Sequence, residues 1–233
     1  MGQHSGIGVL DKAMAVLEAV AKEPCGLAEL CTRTGLPRAT AHRLAVGLEV
    51  HRLLRRGSDG RWRPGAALAE LAGGAVDPLL DAASSVLPRL RDRTGESVQL
   101  YRRDGAHRIC ISTAEPPSGL RDTVPVGARL PLVAGSGGKV LLAWAGAATW
   151  PAGVDADALG EVRDHGWAAS VAEREAGVAS VSAPVHDRDG AVAAAVSVSG
   201  PIDRLGHRPG PRFAPALISG AARLQEPGSR LEA

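Results

Sequence analysis

The chain has 233 residues, 45% of them hydrophobic and 22% charged, with a net charge of +2. That length suits two domains of ordinary size without excluding one, and the apolar content supplies a core. Three Cys at unrelated spacings exclude a disulfide framework and a zinc pattern, and no metal or cofactor is implied.

In chain order, residues 1–8 read as a flexible lead-in. Val9 to Ala21 predicts an amphipathic helix with Val9, Ala13, Val16, Leu17 and Val20 on its apolar face, ended by Glu23-Pro24. The stretch AMAVLEAVA within it is too short for a membrane span or a signal core and carries Glu18, so the chain is expected to avoid membranes and act in the cytoplasm. Leu27, Leu30 and Cys31 recur at helical spacing up to Thr34-Gly35. Leu36-Pro37 opens a second helical run with Ala41, Leu44 and Leu48 on one face; proline is tolerated in a first turn, where its missing amide proton is not needed. Two helices joined by so short a Gly-containing turn read as a helix-turn-helix. Leu53 to Arg56, the turn Gly57-Ser58-Asp59-Gly60, and Arg61 to Arg63 then predict a basic hairpin.

A helix-turn-helix followed by such a hairpin is a winged DNA-binding unit. Its charge agrees: from Leu36 to Arg63 there are seven Arg against Glu49 and Asp59, a surplus of +5 that leaves −3 for the rest of the chain. With only three Lys in the chain, Arg is the general basic residue here and is a weaker signal than usual. Arg38, Thr40 and Arg43 fall nearest the base edges if Pro37 to Glu49 enters the major groove, and Arg55, Arg56, Arg61 and Arg63 supply phosphate or minor-groove contacts. His42 reads equally as a phosphate contact or a plain surface residue. Trp62 reads as packing between wing and core. The bland alternative is a solvated basic face on a structural helical hairpin.

Beyond the wing, Ala66 to Ala72 predicts a short helix, and Gly73-Gly74 a hinge between domains 1–74 and 75–226. Leu79 to Thr94 predicts a helix with Leu80, Ala83, Val86, Leu87 and Leu90 inward. Ser97 to Arg102 and Arg108 to Thr113 predict a hairpin about Asp104-Gly105, Glu115 to Val124 a loop, and Val126 to Pro131 a further strand. Helices follow at Ser136 to Trp144 and Asp155 to Asp164, then strands at Ala168 to Val171, Gly177 to His186 and Ala191 to Ser199. Pro211 to Gln225 predicts a closing helix, and 227–233 a disordered tail. Strands with helices at both ends imply an α+β domain, an antiparallel sheet backed by helices.

GLPRATAHRLAVGLE (35–49), GRWRPGAAL (60–68), VGARLPLVAGSGGKVLLA (126–143) and HGWAASVAEREAGVASVSAPVHDRDGAVAAAVSVSGP (165–201) together resemble the IclR family of bacterial transcriptional regulators. The most specific spacing runs from Ser-x-x-Glu through Gly-Val-x-Ser-Val to Ser-x-Ser-Gly-Pro. The resemblance implies a homodimer or tetramer, a winged domain on double-stranded operator DNA, a GAF-like domain on a small effector, and the role of a ligand-responsive regulator or repressor. In the turn before residues 136–144 this sequence reads Val133-Ala134-Gly135, where the family more often has His or Thr.

The Gly135, Ser136 and Gly137 turn lets backbone approach a ligand, and a helix N-terminus suits a carboxylate. The resemblance brings Ser180, Ser197 and Ser199 opposite this turn, with Ser170 beside them. Spaced two apart, Ser197 and Ser199 share one face of a strand. Either these serines line a polar pocket for an organic acid or amino-acid-like effector, or they are small residues filling a tight sheet. A hydrolase fused to a DNA-binding unit is disfavoured, since Ala134 breaks the Gly-x-Ser-x-Gly elbow around Ser136 and Asp187 and Asp189 serve a turn. The remaining alternative is a winged protein-interaction module with a sensory domain.

Overall fold

In a computed structural model the described residues are 5–73 and 77–225. They separate into two compact units, Met1–Val76 and Asp77–Ala233. Three expectations reach outside the described residues: the start of the lead-in, the hinge at Gly74, and the tail from Pro227.

In the first unit, α1 (Gly8–Lys22), α2 (Leu27–Thr34) and α3 (Arg38–Val50) precede a two-stranded sheet of β1 (Leu54–Arg56) and β2 (Trp62–Pro64), then α4 (Ala66–Gly73). The turn between α2 and α3 works because Gly35 takes φ 69°, a left-handed conformation that glycine adopts without steric cost. Pro37 then stands at the N-cap of α3. Val16, Val20, Leu30, Ala41, Ala45, Leu54 and Trp62 form the core, each essentially buried. Leu44 and Leu48 are only half-buried around it, because the small Ala41 and Ala45 face the centre. Val9 does not join: it is 66% exposed, one turn before the packed part of α1. The wing is tied to the helices by a short bridge in which the amides of Cys25 and Trp62 each donate to the other's carbonyl, at 3.2 and 2.9 Å.

In the second unit, α5 (Pro78–Thr94) is followed by β3 (Ser97–Asp104), β4 (His107–Ala114) and β5 (Arg129–Pro131). Next come α6 (Ser136–Ala143), a 3₁₀ turn at Ala147–Thr149, and α7 (Ala156–His165). The unit closes with β6 (Ala168–Val171), β7 (Val178–His186), β8 (Val192–Pro201), the single turn α8 (Ile202–Leu205) and α9 (Gly210–Gln225). All six strands pair antiparallel in the order β5-β4-β3-β8-β7-β6, so the α+β architecture expected of the chain is what it adopts. Two expectations are corrected here. Only Arg129–Pro131 of the 126–131 segment forms regular strand; before it the chain turns at Gly127, φ 87°, and Gly127 and Ala128 bond to Cys110 at 2.7 and 3.0 Å. On α5, Leu80 is 38% exposed and Leu79 takes the inward place, the helix starting one residue earlier on the Asp77 cap.

Strand alternation gives this sheet two unlike faces. Val98, Leu100, Val181, Ala183, Val196 and Val198 pack with Leu87, Leu90, Phe213 and Leu217 from α5 and α9. The intervening residues on the other face include Ser97, Gln99, Ser170, Ser180, Ser182, Ser197 and Ser199. Pairing aligns them into rows: Ser170, Ser180, Ser199 and Ser97 cross four strands, and Ser182, Ser197 and Gln99 cross three. The helices α6 and α7 cover that side.

Candidate functional site

On the first unit, Arg38, His42 and Arg43 are exposed on α3 and Thr40 is half-exposed. The guanidiniums of Arg38, Arg43 and Arg55 have no hydrogen-bond or ion-pair partner among the described residues, so they are available to an external anion. Four others of the group are engaged. His42 packs edge-on to Trp62 with ring centroids 6.1 Å apart. The Arg56 guanidinium lies 4.4 Å above the Trp62 ring. Arg63 pairs with Asp59 across the hairpin turn at 2.8 Å. Arg61 turns inward: Nε and Nη2 donate to the carbonyl of Pro24 at 3.1 and 2.7 Å, and Nη2 pairs with Glu29 at 2.8 Å. It fastens the wing to the start of α2, where Glu29 also accepts from the amide of Gly26. Trp62 is 1% exposed, a packing residue between wing and helices.

On the second unit, the hydroxyl face of the sheet meets the start of α6. The Ser136 hydroxyl bonds those of Ser180 at 2.7 Å and Ser182 at 2.8 Å; Ser182 donates to Ser197 at 2.8 Å, and Ser199 to Gln99 Oε1 at 3.1 Å. The serines expected at the pocket are therefore together, and Ser182 joins them. Ser182 stands two residues after Ser180 on one strand, a period-2 signal present in the sequence. The amides of Ser136 and Gly137 have no acceptor among the described residues, whereas that of Gly135 donates to Glu173 at 3.2 Å. Glu173 also takes Lys139 Nζ at 2.5 Å, so one carboxylate already stands at the rim of the turn.

Beneath the turn is a small cavity lined by Tyr101, Arg108, Asp122, Gly135, Gly137, Ser170, Arg174, Val178, Ser180, Ser197 and Ser199, with ≈ 10 Å³ inside. About one water fits that volume. Its charged members were not legible in the sequence. Arg108 is 3% exposed. Its Nη1 donates to the carbonyls of Pro131 and, at 2.7 Å, Ala134, shaping the turn, while its Nε has no partner. No carboxylate lies within ion-pair distance of Arg108 among the described residues. Burial holds its pKa below the usual arginine value, and the charge of Arg174 pushes the same way against Tyr101 and Asp122. Arg174 binds both oxygens of Asp122, at 2.7 and 2.6 Å. Burial alone lowers Arg174, but the bonds and charge of Asp122 outweigh it and the net shift is upward. Burial raises Tyr101, so its phenol is neutral. Nε2 of Gln99 and Oγ of Ser97 on this face are also buried without partners. Two guanidiniums and one carboxylate line the cavity; Arg174 also pairs with the exposed Glu175 at 3.3 Å, which leaves Arg108 as the cation with no carboxylate partner among the described residues.

Among the described residues no group of three His, Cys, Asp or Glu is arranged to hold a metal, and no helix is long and apolar enough to cross a membrane.

A winged helix-turn-helix followed by a sheet unit with a polar, cationic cavity defines a DNA-binding regulator. The model of the IclR helix-turn-helix domain matches residues 9–58, and that of the bacterial transcriptional regulator IclR C-terminal domain matches 75–152 and 156–225. The chain belongs to the IclR family of transcriptional regulators. It is similar to the HTH-type transcriptional regulator BhcR of Paracoccus denitrificans, with 29% identity over 94% of this chain and 86% of that one. It is similar to the glycerol operon regulatory protein of Streptomyces griseus, with 29% identity over 84% and 85%. Among solved structures, an IclR homolog of Microbacterium hydrocarbonoxydans complexed with 4-hydroxybenzoate superposes with TM-score 0.81 and 25% identity, covering 93% of this chain and 97% of its own. These relatives are named as regulators, in a family that is not enzymatic.

Proposed function

We propose that the protein binds a pseudo-palindromic operator as a homodimer or tetramer in the cytoplasm, and that a small organic acid or amino-acid-like effector in the second unit changes its DNA affinity. On DNA, α3 enters the major groove with Arg38, Thr40 and Arg43 toward the bases. Arg55, Arg56 and Arg63 meet phosphates, and His42 sits beside the backbone. Arg61 serves this surface by holding the wing rather than by touching DNA. The effector lies against Gly135, Ser136 and Gly137 on one side and Ser170, Ser180, Ser197 and Ser199 on the other.

The observation that carries the effector reading is the buried cavity with two arginines and one carboxylate. A buried cation without a counter-ion is costly, and a carboxylate ligand relieves that cost. The 4-hydroxybenzoate bound by the structural neighbour is itself a carboxylate. An effector that binds two arrangements of the dimer unequally shifts the spacing of the two recognition helices and hence operator affinity. Either repression or activation is compatible with this scheme.

Footprinting of the purified protein on genomic fragments, with and without a panel of organic and amino acids, tests both halves. A protected palindrome that responds to one acid supports the whole reading. A protected site indifferent to every compound retains the DNA half only. No protection at moderate salt favours a protein-interaction module.

A further inference from the structure

The cavity just described is narrow: ≈ 10 Å³ admits about a water and no organic acid. Some part of its wall must move before the proposed effector enters. Outside lies a second, open hollow of ≈ 360 Å³, lined by Leu120 to Thr123, Glu175 to Val178 and Pro201. Asp122 and Val178 line both spaces, so Asp122 stands in the partition.

Asp122 is 8% exposed and bonded through both oxygens to Arg174. The segment that carries it, residues 115–124, has no helix or strand and makes no backbone–backbone hydrogen bond among the described residues. Side chains hold residues 115–123 instead, while Val124 is anchored in the core: Arg204 donates to the Leu120 carbonyl at 2.7 Å, and Arg121 and Thr123 to Glu115. A segment fixed this way moves at low cost once its principal charged anchor is released. Gly135 stands between the two cavity arginines: a methyl group there would lie 3.0 Å from Arg108 Nη2 and 4.0 Å from Arg174 Cβ.

We propose that Asp122 is an internal stand-in for the effector's carboxylate: a small monocarboxylate takes its place on Arg174, and the 115–123 segment is released with it. This rests on the effector reading above and specifies its ligand class and entry route. The exchange swaps one carboxylate for another on Arg174 Nη2, so Arg174 keeps a charged hydrogen-bond partner there throughout. The surplus charge of Arg108 draws the incoming anion inward. A neutral ligand of the same shape cannot compete with Asp122 and is excluded.

The test is calorimetric titration of the full chain with sodium acetate and sodium benzoate, with acetamide and benzamide as neutral counterparts, on the wild type and Asp122→Asn. Removing the competing charge raises the fraction of open protein, so the variant binds the carboxylates about tenfold tighter or more while the amides bind neither protein. Asp122→Ala, which leaves no acceptor at all, gives the same gain if the Asn variant folds poorly. Equal or weaker carboxylate binding by both folded variants overturns the stand-in while leaving the effector pocket intact. Absence of carboxylate binding by wild type and variants alike overturns the pocket reading as well.

Discussion

Arg43 and Arg61 carry the same charge in the same basic window and stand in opposite surroundings. Arg43 has an open guanidinium on α3, whereas Arg61 is bonded to Pro24 and Glu29. Replacing Arg43 by Ala is expected to weaken operator binding by about 1–3 kcal/mol with the melting temperature unchanged, read by fluorescence anisotropy and thermal denaturation. Replacing Arg61 by Ala is expected to lower stability instead, by about 1 kcal/mol, since its ion pair is half-exposed and its bonds to the Pro24 carbonyl carry most of the effect. No feature of the sequence separates the two, because the difference lies in a contact 37 residues away. Gly138 is a further single-residue case: a methyl group there would lie 2.0 Å from the Leu132 carbonyl oxygen, so Gly138→Ala must shift the turn. A loss of about 1–3 kcal/mol in chemical denaturation is expected, together with weakened effector binding.

At the level of elements, the wing depends on one residue. Trp62 fills the space between β2 and the three helices, supports the Arg56 guanidinium on its face and meets His42 on its edge. Trp62→Ala is expected to destabilise the first unit by about 3–5 kcal/mol, and the loss of DNA binding should follow the loss of helical signal in far-UV circular dichroism rather than precede it. Most elements were legible because their signals are local: helical spacing in α1 and α5, turn residues at Gly35 and Asp187 to Gly190, and alternation in β7 and β8. Legibility failed where neighbours decide. The apolar Val9 and Leu80 fit a helical face by spacing but stand outside the packed surface. The serines of the cavity could be grouped by period, whereas Arg108, Asp122 and Arg174 meet only through the tertiary fold, with Asp122 and Arg174 52 residues apart in an Arg-rich chain.

For the whole molecule, the open guanidiniums of Arg38, Arg43 and Arg55 on the first unit make the ionic-strength dependence of DNA binding the quantity to measure. Each phosphate neutralised contributes about 0.9 to the slope of log affinity against log salt. Replacing Arg55 and Arg56 together by Ala should reduce that slope by about 1.8 if both meet phosphate, and leave it unchanged if neither does. The family membership established by both domain models makes regulation the setting for such a measurement. The second unit divides its labour by sheet face: one side of β7 and β8 holds the valines that build the core, and the other holds hydroxyls toward the cavity. Because the two sets of side chains never share a face, the chemistry a cell can sense is separable from the ability to fold. If the proposed effector lies against Ser170, Ser180, Ser197 and Ser199, variation at these positions is expected to retune what is detected while the valine side stays as it is, which would make this sheet a template for sensors of other small acids.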